Sequence, residues 1–351
     1  MKKYRIVASL LVFALVFVLV ACQQNNEGLV ENSDVEKEAV NAEGQENALN
    51  EEQSESSEEQ EDVLNKDNAG DSSETTVETS YPLTVIDSFG REVTIESEPM
   101  KIISLSPAVT EIVYALGRSD RLIARTDYCN YPQEVVEIES IGQIMDPNIE
   151  RIVELEPDIA IAAAHFQMDT LKKLEEAGIK VVIVYGEDSF EGAYFAIEEL
   201  GKILNAQGAA SQIVADMKAT VEEVTQKVAG RERPSVYYVV GFGEWGDYTA
   251  GRDTFIGKLL EMAGAKNAAD DVEGWSYSLE KLIEKNPDYI ICSKDDNHRE
   301  QLKTAEGYKT LDAIVNDRIL EIDKNKLERQ GPRIAEGLRE IAEYLHPDAF
   351  K

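Results

Sequence analysis

The 351-residue chain contains three cysteines, two tryptophans and three histidines. Beyond Cys22, the two remaining cysteines, Cys129 and Cys292, are far apart in sequence and make no disulfide framework, so no structural disulfide is expected. His165, His298 and His346 are too few for a histidine-rich cage around a bare zinc or manganese ion. Catalytic loops are missing as well. Ser104-Leu-Ser106-Pro lacks the Gly-x-Ser-x-Gly framing of a hydrolase nucleophile, and no Gly-x-Gly-x-x-Gly follows a strand, so neither an enzyme nor a resident cofactor is expected. The segment Gly241-Phe-Gly-Glu-Trp-Gly246 is glycine-rich, but an aromatic and an acid stand where a phosphate would approach, and it reads as a cleft loop. Positive charge is scarce too: 35 Lys and Arg face 68 Asp and Glu, a net charge of −33, which argues against nucleic acid as a partner.

Lys2, Lys3 and Arg5 precede an apolar run from Ile6 to Ala21 that stops at Cys22. The run falls short of the roughly 20 apolar residues of a spanning helix and reads as an export signal over 1–21. Leu19-Val20-Ala21-Cys22 resembles a bacterial lipobox, which implies cleavage before Cys22 and lipid on its thiol. Two or more acyl chains anchor stably where one does not, so the expected location is the cell membrane, lipid-anchored, facing outside the cytoplasm. An uncleaved anchor would put the remainder on the same side. From Gln23 to Ser80 the chain carries 18 acids against two lysines, with no apolar periodicity. It cannot bury enough apolar surface to offset chain entropy, and 22–80 is expected to be a lipidated N-terminus and disordered acidic tether.

The rest is patterned, and it contains a repeat. Glu150-Arg-Ile-Val-Glu-Leu-Glu-Pro157-Asp158-Ile-Ala-Ile161 matches Glu280-Lys-Leu-Ile-Glu-Lys-Asn-Pro287-Asp288-Tyr-Ile-Ile291, each behind a candidate N-cap, Asn148 or Ser278. Each copy reads as helix, turn and buried strand. Strands are expected at 102–105, 159–162 and 181–184, then at 236–240, 289–292 and 319–322. Between the two groups Ile213, Met217, Val221, Val224 and Val228 mark one apolar side of a long helix over about 206–229, ended by Gly230 and Pro234. The expected fold is α/β: two Rossmann-like lobes, 81–205 and 231–351, joined by a single backbone helix at 206–230, with a ligand cleft between the lobes.

Three segments carry a family resemblance: Ile103-Ser-Leu-Ser-Pro-Ala-Val-Thr-Glu-Ile-Val-Tyr-Ala-Leu-Gly117, Asp127-Tyr-Cys-Asn-Tyr-Pro132 and Gly331-Pro-Arg333. With the paired Glu units they resemble the helical-backbone substrate-binding proteins for cobalamin, haem and iron-siderophores, in the family's order over Tyr81 to Lys351. The resemblance implies a ligand clamped between two lobes that close little on binding. It also implies that Glu150 and Glu280, one per lobe, dock onto arginines of an ABC permease dimer that works with ATPase subunits. A monomer facing a two-fold partner needs two equivalent acids, which a duplicated helix start supplies.

Ligands of open α/β lobes sit beyond the carboxyl ends of the strands, where His165 and His298 could donate a hydrogen bond or ligate a cobalt or iron centre. Tyr128, Tyr131, Trp245, Tyr248 and Trp275 stand at loop positions, and their flat faces suit a macrocycle or catecholate complex. Arg252 and Arg329 could neutralise a propionate, phosphate or catecholate. By resemblance to cobalamin binders, Tyr128, Tyr248, Trp275 and Arg329 map onto ligand-contacting positions, whereas Ile144 and Ala164 stand where those proteins can have tryptophans. The expected function is capture of a metal-chelate nutrient, a corrinoid favoured over haem or an iron-siderophore, for delivery to the permease. An extracytoplasmic enzyme or chelatase acting on such a complex, and an interaction protein without a small ligand, are the alternatives from other classes.

Overall fold

The computed structural model describes residues 78–351 apart from 245 and 296. The signal segment, Cys22, nearly all of the tether and Trp245 lie outside the described residues.

A hairpin of β1 (Leu83–Ile86) and β2 (Glu92–Ile95) leads into the first lobe. That lobe runs β3 (Ile102–Ser104), α1 (Pro107–Ala115), β4 (Leu122–Arg125), α2 (Ile149–Leu155), β5 (Ile159–Ala162), α3 (Met168–Glu176), β6 (Val181–Ile183) and α4 (Phe190–Ile203). Helix α5 (Gln207–Val228) follows. The second lobe begins with β7 (Ser235–Val239), β8 (Asp247–Tyr248), α6 (Phe255–Met262), β9 (Lys266–Asn267), β10 (Ser276–Tyr277) and α7 (Leu279–Lys285). It continues through β11 (Tyr289–Ser293), α8 (His298–Leu302), α9 (Asp312–Val315), β12 (Ile319–Ile322), α10 (Asn325–Glu328) and α11 (Ile334–Leu345).

The two sheets have the same topology. Their orders are β4-β3-β5-β6 and β9-β7-β11-β12, with every pairing parallel. Counted within its own lobe, each sheet reads second, first, third, fourth strand. Parallel sheets need helices on both faces, and the side chains alternate accordingly. Ile159 and Ile161 enter the large core, while Ala160 and Ala162 enter a separate core on the other side of the first sheet. In the second lobe Tyr238 and Ile291 face the large core, and Tyr237, Ile290 and Cys292 face the opposite layer. Cys129 and Cys292 are both buried free thiols.

The sequence repeat becomes a structural one. Asn148 and Ser278 each cap a seven-residue helix by accepting from the backbone N–H three residues on, and Glu156 and Asn286 end those helices in the left-handed region. The Pro-Asp that follows ties each unit to the first strand of its own sheet. Asp158 accepts from the N–H groups of Met100 and Lys101 at 2.7 and 2.8 Å, and Asp288 accepts from the N–H and hydroxyl of Ser235 at 2.8 and 2.7 Å. Asp288 is the less exposed of the two, so its loss strands more polar groups. Asp288→Ala is expected to lower the unfolding free energy by about 1–2 kcal/mol and Asp158→Ala by less, read from urea midpoints.

Helix α5 spans ~33 Å at 1.5 Å per residue and packs on α4 of the first lobe and α11 of the second. Ala210, Val214, Met217, Val224 and Val228 are its buried face, with Ile213 and Val221 partly buried beside them. The stripe read from sequence is therefore widened by Ala210 and Val214. Because this face belongs to one core that draws residues from both lobes, the helix holds the lobes through packing as well as through the chain.

Candidate functional site

A cavity of about 920 Å³ lies between the lobes, near the upper end of the roughly 300–1,000 Å³ typical of small-ligand sites. Its walls come from the carboxyl ends of the strands: Ser106 to Val109 after β3, Ala163 to His165 after β5, Val184 to Asp188 after β6, and Val240 after β7. Val184 and Val240, expected as the last residues of strands, lie one residue past β6 and β7 and line the cavity. Switch points in parallel sheets open such crevices because the chain departs in opposite directions from neighbouring strands. Phe255 and Ile256 at the start of α6, Trp275, and the strap from Leu327 to Gln330 complete the second-lobe side. Thr254 fixes α6 by accepting from the N–H of Gly257 at 3.0 Å.

Tyr128 faces the cavity because its neighbour is anchored. The buried Cys129 thiol lies 3.0 Å from the Thr110 hydroxyl and 3.3 Å from that of Thr126, which leaves Tyr128 outward and 53% exposed. Trp275, 45% exposed, stands on the other lobe beside β10. That strand pairs antiparallel with β8, and the Trp275 carbonyl accepts from the N–H of Thr249 at 2.8 Å. Two aromatic rings, one per lobe, are thus held on the walls by their own backbone frameworks. Gly192 secures another wall. A Cβ there would come within 1.9 Å of the Glu187 carbonyl oxygen, so only glycine lets the cavity loop pack against the first turn of α4.

A buried ionic cluster closes the cavity floor across the lobes. Glu111 of α1 receives two bonds from Arg333, Nε to Oε2 at 2.8 Å and Nη2 to Oε1 at 2.7 Å, and one from Arg329 Nη1 at 2.7 Å. Arg329 also donates to the Tyr128 carbonyl at 3.2 Å, and Gln330 to the Glu187 carbonyl at 2.7 Å. On its far side Arg333 pairs with Asp323 at 2.9 Å. Burial acts to raise the Asp323 pKa, but hydrogen bonds from Arg333 and Asn325 outweigh it and hold the carboxyl below its ordinary value. A carboxyl depressed on folding adds stability that is complete above its unfolded pKa and is lost as pH falls through the folded one. The stability gap between the wild type and Asp323→Asn is therefore expected to be full at neutral pH and to close progressively below about pH 4, measured by urea unfolding at fixed pH.

Of the residues singled out from sequence, Tyr128, His165, Trp275 and Arg329 line the cavity, as do Ile144 and Ala164. Tyr131, Tyr248, Arg252 and His298 are not among its described lining residues. Tyr131 lies under the guanidinium of Arg333, 3.9 Å from ring centroid to carbon, and serves the cluster. The backbone of Tyr248 pairs with Gly241 and with Ser276 of β10. Arg252 forms an exposed ion pair with Glu273. His298 packs edge-on against Phe242, whose ring also meets Tyr308. Sequence reading passed over Glu111, Arg333, Gln330 and the 184–188 loop, although Glu111 and Arg333 stand inside the quoted motifs. Among the described residues, no group of three or more His, Cys, Asp or Glu is placed to hold a metal ion.

Glu150 and Glu280 are exposed in the first turns of α2 and α7. Each helix returns antiparallel to the strand that follows it, so both acids stand on the strand-end side of their lobes. Three residues on, the equivalent positions Val153 and Ile283 are exposed apolar side chains, at 39% and 44%. A hydrogen bond from the Ser278 hydroxyl at 2.6 Å holds the Glu280 pKa below its ordinary value.

Two parallel α/β lobes of like topology, a stiff helix between them and an aromatic-walled cavity at their strand ends define a solute-binding protein. Comparison with known proteins agrees. The profile of the family described as periplasmic binding protein (Peripla_BP_2) matches residues 102–326, and the chain belongs to that family. It is 35% identical to an uncharacterized ABC transporter substrate-binding lipoprotein, YvrC, of Bacillus subtilis, over 80% of this chain and 91% of that one. It is 27% identical to a cobalamin-binding protein of Halobacterium salinarum, over 76% and 75% of the two chains. Among solved structures, a possible iron-binding (periplasmic solute-binding) protein of Staphylococcus epidermidis superposes with a TM-score of 0.62 at 30% identity, covering 71% of this chain and all of that one.

Proposed function

We propose that the protein is the lipid-anchored, extracytoplasmic receptor of an ABC importer, and that it captures a corrinoid and passes it unchanged to the permease. The observation that carries this reading is the pair of exposed rings, Tyr128 and Trp275, on opposite lobes of one large, largely apolar cavity. Flat faces on two sides suit a rigid macrocycle, whose burial and stacking supply affinity with little ordering cost. The cobalamin-binding relative supports the same ligand class. A lipid on Cys22 would keep the receptor at the membrane, and Glu150 and Glu280 would dock it on the permease dimer.

An iron chelate is the second reading, favoured by the likeness to the possible iron-binding protein and by His165 at the cavity wall. Titration with cyanocobalamin, haemin and a ferric siderophore, followed by absorbance and tryptophan fluorescence, tests both. Saturable binding of cyanocobalamin with the ligand recovered intact is the expected result. Recovery of altered ligand would make the protein an enzyme, and silence with all three would remove the chelate class.

A further inference from the structure

The charge lining the cavity is lopsided. Glu187, Asp188 and Glu328 contribute three carboxylates, whereas Arg329 is the single Lys or Arg among the described lining residues. Arg329 is not offered to the cavity as a bare cation. The carboxylate 2.7 Å from its Nη1 belongs to Glu111, a residue of the other lobe that is only 3% exposed. Glu111 is shared with Arg333, and Arg333 is balanced in turn by Asp323. Glu111 thus answers both guanidiniums from the other lobe, while Asp323 answers Arg333 and, at 3.7 Å, Lys294. An anionic group brought to Arg329 would meet Glu111 directly behind it and carboxylates at the walls, so its desolvation would go uncompensated.

We propose that Glu111 is the residue that sets the charge specificity of the cavity: by cancelling Arg329 from across the lobe interface, it admits neutral chelates and turns away anionic ones. This rests on the corrinoid reading above, since cyanocobalamin is a neutral macrocycle edged with amides. Glu111 is a positioning residue, acting through Arg329. Neutralising it leaves Arg333 its partner Asp323 and the Tyr131 ring, and leaves Arg329 bonded to the Tyr128 carbonyl with a guanidinium edge able to receive a carboxylate from the cavity.

The test compares cyanocobalamin with its monocarboxylic acid, in which one side-chain amide is hydrolysed, in equilibrium titrations of the full chain. The wild type is expected to prefer the amide by at least about 10-fold. Glu111→Gln should shift that ratio toward the acid by about 10- to 100-fold, and Glu111→Gln/Arg329→Gln should reverse the shift. General damage to the cavity weakens both ligands and leaves the ratio alone. An unchanged ratio in a folded Glu111→Gln protein, or a shift that survives in the double variant, overturns the proposal. Should Glu111→Gln fail to fold by circular dichroism, the wild type still decides, because equal affinity for acid and amide is incompatible with it. If the wild type binds neither corrinoid, the ligand reading falls by itself. The same comparison then uses haemin and its neutral dimethyl ester: tighter binding of the ester upholds the role of Glu111, and tighter binding of haemin removes it.

Discussion

Trp275→Ala is expected to weaken binding of the captured chelate by about 30-fold, Tyr128→Ala by a similar factor, and the double variant by about 1,000-fold. A tyrosine or tryptophan ring buries 150–250 Å² in full, and a half-exposed ring has roughly 80–100 Å² left to lose to a ligand. At about 25 cal/mol per Å² that area is worth ~2 kcal/mol. The rings stand on different lobes and rest on separate frameworks, so the two losses should add. Neither side chain belongs to a buried core, so unfolding midpoints should hardly move, and a weakened Kd will report the site and not the fold. A double variant that binds within threefold of the wild type would place the chelate elsewhere.

The second large effect is on delivery. Reversing both Glu150 and Glu280 to Arg should reduce permease-dependent uptake to background, while the Kd for the chelate changes less than about twofold. Truncating one member of a desolvated charge pair costs about 2–5 kcal/mol, and reversal adds repulsion at both docking points. Both acids are exposed and neither lines the cavity, which is why binding should survive. Each single reversal should give an intermediate loss of uptake, because the other lobe still docks. Uptake that persists in the double variant would show that the duplicated acids act only as first-turn residues favourable to the helix dipole.

Much of the scaffold was legible because local rules dictate it. Apolar runs placed six strands to within a residue or two at each end, and spacings of three and four exposed the backbone helix. The twelve-residue repeat announced two like lobes, and the structure extends that likeness to strand order and to the paired Asp158 and Asp288. What escaped is short or marked by function. The strand β9 is two residues long and carries no apolar run, and β4 offers only Leu122-Ile-Ala before Arg125. In the hairpin, Leu83–Ile86 alternates in burial whereas Glu92–Ile95 does not, and its signal was missed.

The site divides in the same way. Sequence pointed to aromatic and basic residues in loops after strands, and Tyr128, His165, Trp275 and Arg329 among them line the cavity. Tyr131 shows the limit, since a tyrosine one or two positions from a turn can face a ligand or a guanidinium with no change in local pattern. The sequence by itself determined the lobes, the helix between them and the candidate pool, because backbone hydrogen bonding and hydrophobic periodicity act between residues close in the chain. Only the tertiary structure decided that Tyr128 and Trp275, separated in sequence, face one cavity, and that Glu111 meets Arg329 and Arg333 more than two hundred residues away. Such pairings depend on how packed layers bring distant segments together, and burial then gives a single carboxylate its influence over the site.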